Sequence, residues 1–337
     1  MTKSKKPWAI VLAGGDGNRL RDLTMTPSGI AVPKQFCSLR GGACLLQLAL
    51  ARAAGVAPVH RICVVVALQH KRWWVAPLDY LPKRNVVVQP ANRGTAFGIL
   101  LPLLDILTRD PNANVVLLPA DHYSLDEETM TRALKKAAAL AATNSDALYV
   151  LGAEPSEPDT EVGYIVPAEK RRDKPSRVVR FVEKPDTDRA LSLLGEGALW
   201  NVFILAGLAR TILQMYEQSL AATVGAMRAT LELDRARPAG HAALAELYEH
   251  LPTVDFSREI LEQHARMLQV VPVPRCGWSD LGTPKRVVEA LNKLAREVLH
   301  ENIARGPIAY LNLADQHERS NQHSNTLPLS RSPSGTG

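Results

Sequence analysis

Short apolar runs, each closed by turn residues or polar residues, alternate with stretches of helical period through the first half of the chain. WAIVLA at 8–13, RICVVVAL at 61–68, NVVVQ at 85–89, NVVLLPA at 114–120 and ALYVLGA at 147–153 are rich in aliphatic residues and short, so they read as buried strands. Between them, apolar positions recur every three or four residues over 44–54, 94–108 and 126–142, the spacing of a helix with one buried face. HKRWW at 70–74 reads as a helix packing its tryptophans. This alternation predicts an α/β fold, a mixed and mostly parallel central sheet flanked by helices, with ligands held beyond the carboxyl ends of the strands.

The texture changes near residue 160. VGYIVP at 162–167 and RVVRFVEKPD at 177–186 read as strands of a mixed or antiparallel part, and GALWNVFIL at 197–205 reads as another strand. Helical period returns from about 208 to 249, MLQVVPVPRCGWSDLGTP at 267–284 reads as strand and loop, and a last helix is expected over about 284–300. Residues 315–337 hold five serines and, as aliphatics, Leu327 and Leu329 alone. Such a segment has too little apolar surface to order itself and is expected to be a disordered tail.

Composition narrows the function. Charged residues make up 22% and hydrophobic ones 46% of the 337, ordinary for a globular protein. The net charge of +6 suits an anionic ligand, but the basic residues are scattered, so no nucleic-acid partner is expected. The four cysteines show no C-x-x-C spacing and read as thiols of a reducing compartment. No run reaches the length of a membrane span, and MTKSKKPW lacks an apolar core behind its basic residues. A cytoplasmic protein is the expectation.

The chemistry gathers at strand ends. After the first strand comes LAGGDGNRL, in which Gly14, Gly15 and Gly17 permit positive φ and let backbone N–H groups face an anion. The dinucleotide fingerprint would need a glycine where Leu20 stands, and a P-loop would need Gly-Lys-Ser/Thr. Arg19 can grip a phosphate in bidentate fashion, and Lys34 adds a point charge.

In order along the chain stand LAGGDGNRL with PKQF, QPANRGTA, LPADH, VGYI, FVEKPD, LWNVFI and GWSDLGTP. This series resembles the sugar-phosphate nucleotidyltransferase family, closest to its mannose-1-phosphate guanylyltransferases, from about residue 7 to about residue 300. The resemblance implies a Rossmann-like nucleotidyltransferase fold over a single domain, 1–305, with a nucleotide-binding part to about 155 and a sugar-phosphate part from about 156, and a short extension at 306–337. It implies transfer of GMP from GTP to mannose 1-phosphate with Mg²⁺, by in-line attack on the α-phosphate.

Carried onto this sequence, the resemblance makes Arg19 and Lys34 catalytic. It assigns nucleotide contacts to Leu12, Gly14, Gly15, Gly17, Asn18, Gln89, Asn92, Gly94 and Thr95, with Gln89 and Gly94 facing the base. Gly163, Glu183, Lys184 and Asn201 would meet the sugar phosphate, and Asp121 and Asp280 would hold the metal. The sequence departs from the pattern at Asn18, where threonine or serine is usual, at Asp22, where proline is usual, and in a longer segment between Arg19 and Lys34. Other readings are another hexose 1-phosphate, another nucleoside triphosphate, or a non-catalytic sugar-nucleotide sensor on the same fold. Assembly as a homo-oligomer is left open.

Overall fold

The structure, a computed structural model, describes residues 6–39, 41–171, 174–236 and 242–305, with side chains as far as 297. The tail expected from about 315 lies outside the described residues. By its contacts the chain divides into two compact units, residues 1–287 and 288–337. The sheet, its flanking helices and the cleft described below belong to the first unit.

In chain order the elements are β1 (Trp8–Ala13), α1 (Leu45–Ala54), β2 (Ile62–Ala67), α2 (Lys71–Leu78), β3 (Val86–Gln89), α3 (Thr95–Arg109), β4 (Asn114–Pro119), α4 (Glu127–Thr143) and β5 (Leu148–Ala153). Then follow β6 (Tyr164–Pro167), β7 (Ser176–Val182), α5 (Thr187–Glu196), β8 (Leu199–Leu208), α6 (Ala209–Ala236), α7 (Ala242–His250), β9 (Leu268–Val273) and α8 (Pro284–Arg305). The nine strands form one mixed sheet in the order β3-β2-β1-β4-β8-β5-β9-β7-β6. Strands β3, β2, β1 and β4 are mutually parallel, and β5 is parallel to β9. Strand β8 runs antiparallel between β4 and β5 and joins the two parallel sets.

Both faces of the sheet are buried, and period two decides which residue goes where. Trp8 and Ile10 of β1 pack in a core with α3, α6 and α7, whereas Ala9, Val11 and Ala13 pack on the other side with α1, α2 and α4. A smaller cluster joins Tyr164 and Val166 of β6 to Ala190 and Leu193 of α5. Helix α5 was not anticipated from the sequence. Half of its ten residues are polar; it buries Ala190 and Leu193, and starts where the Asp186 carboxylate accepts the Arg189 N–H. In α2, Trp74 is buried with its indole N–H on the Ala67 carbonyl, but Trp73 is half-buried and lies under Arg72. Among the described residues no helix is long and apolar enough to cross a membrane.

Asp126 is the N-cap of α4, since its carboxylate accepts both the backbone N–H and the hydroxyl of Thr129. Such a cap contributes about 1 kcal/mol, which in a chain of this size corresponds to about 1–2 °C in Tm. Asp126→Ala is therefore expected to melt earlier by that amount with its turnover intact. An unchanged melting curve would mean that α4 does not depend on this cap.

Candidate active site

A cleft of about 360 Å³ opens beyond the carboxyl ends of β1, β3 and β4 and the start of β8. Leu12, Gly14, Gly15 and Arg19 form one wall. Gln35, buried next to Lys34, fixes this wall by donating from one amide nitrogen to the carbonyls of Ala13 and Gly15, each at 2.9 Å. At Gly17 φ is +66°, and a Cβ would stand 3.0 Å from the Lys34 backbone nitrogen, so glycine is required there. Asn18–Thr24 then winds as a 3-10 helix. The extra length of this segment closes into a small turn, with Met25 bridged to Ala31 and the Thr26 N–H on the Ile30 carbonyl. Gly17 and Asn18 do not line the cleft. They border a separate surface pocket with Arg21, His70 and Trp73.

The second wall carries Gln89, Asn92, Gly94 and Thr95. Asn92 accepts the Gly94 N–H and donates to Asp16 of the glycine loop at 2.8 Å, which ties the two walls together. Gly94 has φ of +88°, and a Cβ there would stand 2.2 Å from the Val254 carbonyl oxygen. The segment pressed against Gly94 brings Thr253 and Asp255 into the cleft. It is held by the Ala96 N–H on the Val254 carbonyl and the Phe256 N–H on the Thr95 hydroxyl. No sequence motif marked it.

At the acidic end, Asp121 follows β4, and its Oδ2 lies 2.9 Å from the Lys34 ammonium. Lys34 is buried, does not line the cleft, and also donates to the backbone carbonyl of Asp280 at 2.6 Å. Reciprocal backbone bonds between Tyr123 and Ser279, both 2.9 Å, zip the two aspartate loops together. Burial alone would raise the Asp121 pKa, but Lys34 and His122 outweigh it and hold the carboxyl below its ordinary range. Asp280 is pushed up by burial, against the pull of Lys34 and the Gly282 N–H. Its Oδ1 is also paired with Arg286, whose other nitrogen pairs with Asp159. His122 is kept neutral, its pKa pushed down to about 4 by burial.

The remaining wall comes from the second half of the chain. Asp159 accepts the Glu161 N–H at 2.7 Å, and the Glu161 carboxylate pairs across the cleft with Arg19, both side chains about half exposed. A Cβ on Gly163 would stand 2.5 Å from Glu183 Oε2, so glycine makes room for that carboxylate. Asn201 donates its backbone N–H to the Gly163 carbonyl at 2.7 Å and accepts the Phe203 N–H at 3.0 Å. Lys184 and Phe203, which line the cleft, and Leu281, next to Asp280, are the non-glycine residues with positive φ among those described. Backbone strain of this kind gathers where a site is built. Fourteen of the seventeen residues expected from the sequence line this cleft, Gly17, Asn18 and Lys34 being the others. Sequence reasoning missed Gln35, Glu161, Asp255 and Arg286. Gln35 stands inside the quoted PKQF, and Glu161 directly precedes VGYI; nothing local marks the other two.

The chain matches the family model described as nucleotidyl transferase over residues 8–297. It is 32% identical over 295 residues to a mannose-1-phosphate guanylyltransferase of Escherichia coli (strain K12), covering 82% of this chain and 58% of that protein. It is 29% identical over 307 residues to the mannose-1-phosphate guanylyltransferase RfbM of Salmonella typhimurium (strain LT2), covering 84% and 58%. The chain thus spans about three-fifths of these relatives' length. Among solved structures it resembles a Thermus thermophilus protein described as mannose-1-phosphate geranyltransferase, with TM-score 0.68 and 28% identity over 82% of this chain and 76% of that one. It also shares its fold with a UDP-glucose pyrophosphorylase complexed with UDP-glucose, at TM-score 0.56 and 15% identity over 87% and 99%.

Glu183 gives the cleft a pH signature. Burial, with Asp255 adding to it, pushes its carboxyl from 4.5 up to about 7. The folded state therefore holds this proton more tightly than the unfolded one. The resulting stability is full below about 4.5 and is lost as pH rises through about 7. His122, lowered from 6.5 to about 4, acts in the opposite sense, its contribution being full above 6.5 and lost as pH falls through about 4. Between pH 5 and 6.5 the two oppose each other. In Glu183→Gln the unfolding free energy should rise with pH more steeply than in the parent, by up to about 1.4 kcal/mol per pH unit. Denaturant titrations at several pH values check this, and parallel profiles would show that Glu183 titrates alike in both states.

Proposed function

The chain belongs to the nucleotidyl transferase family, and from that premise we propose that it transfers GMP from GTP to mannose 1-phosphate, giving GDP-mannose and pyrophosphate. The observation that carries the reading is the convergence on one cleft of a glycine loop with Arg19, a pair of aspartates, and the Glu183–Lys184 and Asn201 wall. The relatives named mannose-1-phosphate guanylyltransferase support the choice of sugar and nucleotide.

In this reaction an oxygen of the sugar phosphate attacks the α-phosphorus, the bond from that phosphorus to the bridging oxygen breaks, and pyrophosphate leaves. No protein nucleophile is required, so the protein's task is alignment and charge compensation. Arg19 exchanges Glu161 for phosphate oxygens, and the glycine-loop amides hold the outer phosphates. Lys34 keeps Asp121 ionised and its loop fixed. Glu183, Asn201 and the backbone at Gly163 orient the sugar, with Lys184 on its phosphate.

Asp121 and Asp280 offer two carboxylates. Among the described residues no group of three or more His, Cys, Asp or Glu is placed to hold a metal by itself. The two carboxylates would suit a hard cation such as Mg²⁺, which takes one or two carboxylates and shares substrate phosphates. When bound, such a cation neutralises charge on the reacting phosphates. The nucleotide-binding part, 1–155, and the sugar-phosphate part, 156–305, are the division of labour proposed here, with 253–256 crossing to back the base wall.

Pyrophosphate release from each nucleotide with mannose 1-phosphate tests the reading. GTP should exceed UTP, dTTP and ATP in kcat/KM, and a better rate with UTP or dTTP would defeat the guanylyl assignment. Asp121→Asn and Asp280→Asn should each reduce turnover at least about a hundredfold, the order expected when one preorganised charge contact is lost. A folded Asp280→Asn variant of near-normal rate would show that this aspartate serves only its loop.

A further inference from the structure

The glycine loop is a partition between two cavities. Gly15 and Arg19 line the cleft, but Asp16, Gly17 and Asn18, which stand between them, line a separate pocket of about 320 Å³. Its other walls come from the 3-10 helix Asn18–Thr24, the start of α2, and the segment Ala31, Val32 and Pro33. The reaction proposed above makes no use of it.

Two guanidiniums line this pocket, Arg21 from the 3-10 helix and Arg72 from α2. Both residues are exposed, and among the described residues neither guanidinium forms a hydrogen bond or an ion pair. Arg72 rests over the ring of Trp73 at 5.3 Å, and the half-buried indole lines the pocket as well. Asp16 is the carboxylate of the lining, and its charge is already answered. Its Oδ1 accepts from Gln69 at 3.0 Å and stands 3.4 Å from His70 Nε2, while Oδ2 accepts from Asn92 at 2.8 Å. The unanswered charge in the pocket is therefore positive.

A guanidinium grips a phosphate through two parallel hydrogen bonds. An indole gives flat apolar surface on which a sugar ring can rest, and the amides of Asn18 and Gln69 give hydroxyls something to meet. We propose that this pocket is a second ligand site, made for a sugar phosphate, and that its occupant weakens triphosphate binding across the shared loop. The phosphate lies on Arg21 and Arg72, and the sugar lies against Trp73.

The coupling is electrostatic. By themselves the two guanidiniums add positive potential beside the loop that receives the outer phosphates. A dianion bound to them cancels that potential and repels the triphosphate. Displacement contributes less, because Asp16 ties Gln69 on the pocket side to Asn92 on the cleft side. The coupling rests on the reading that the cleft binds a nucleoside triphosphate; the pocket's own affinity for a sugar phosphate does not.

Calorimetry of the full-length protein tests this with a GTP analogue whose α and β phosphorus atoms are joined by a methylene, so that no pyrophosphate can leave. As mannose 6-phosphate is raised, the dissociation constant of the analogue should climb to a plateau at least about fivefold higher. Competition inside the cleft would raise it without limit, and that result overturns the proposal. Arg21→Gln and Arg72→Gln should bind the analogue within about threefold of the parent, yet need at least about tenfold more mannose 6-phosphate to reach the plateau. An unchanged dependence in both variants overturns the proposal. Mannose 1-phosphate forms the second arm; whichever ester loses more affinity in the two variants shows whether the reaction's own substrate or another hexose phosphate fills the pocket, and no loss with either overturns it. If the parent does not bind the analogue at all, the reading of the cleft fails instead. Direct titration of mannose 6-phosphate into parent and Arg72→Gln then decides the pocket, equal affinities refuting it.

Discussion

Lys34 is an ammonium with almost no access to water, and a cation so placed must be surrounded by acceptors or it destabilises the fold. Its acceptors are the Asp121 carboxylate and the backbone carbonyls of Asp280 and Leu281. Three segments far apart in sequence are thereby held to one nitrogen. The Tyr123–Ser279 bridge and the positive φ of Leu281 follow from that convergence, because the 279–282 turn must bring its carbonyls to the lysine. The geometry of the acidic end is thus set before any substrate arrives.

The rest of the cleft balances charge in the same fashion but less tightly. Arg286 sits between Asp159 and Asp280, and the loop it anchors carries Glu161 to Arg19. The Arg286 pairs are buried, so removing one partner would leave a costly unpaired charge. The Arg19–Glu161 pair is half exposed and worth little. The aspartates are thus held firmly, while the Arg19–Glu161 pair can part at little cost.

Much of this was legible in the sequence wherever the determinants are local. The first five strands and the helices at 45–54, 95–109 and 127–143 lie within a few residues of the periods that announced them. Gly17 and Gly94 are glycines for reasons a loop can advertise. What was not legible depends on partners distant in the chain. Val254 approaches Gly94, Tyr248 meets Gln89, and Arg286 joins Asp159, each across more than a hundred residues. Helix α5 escaped because half of its residues are polar, leaving Ala190 and Leu193 as its buried residues. The reversal of β8 also has no local signature, since its residues would read alike in either direction.

That reversal bears on how the chain is made. Strands β4 and β5 follow one another in sequence, yet they do not pair with each other; β8 stands between them. A chain emerging from its N-terminus therefore carries open edges on both β4 and β5, flanked by residues such as Leu117 and Val150, until Leu208 has been synthesised. The far edge of β5 waits longer still, for β9. Unpaired apolar edges invite pairing with other chains, and non-local strand pairing is slow. The N-terminal half accordingly has no finished sheet of its own, and its edges stay open to other strands until β8 and β9 arrive.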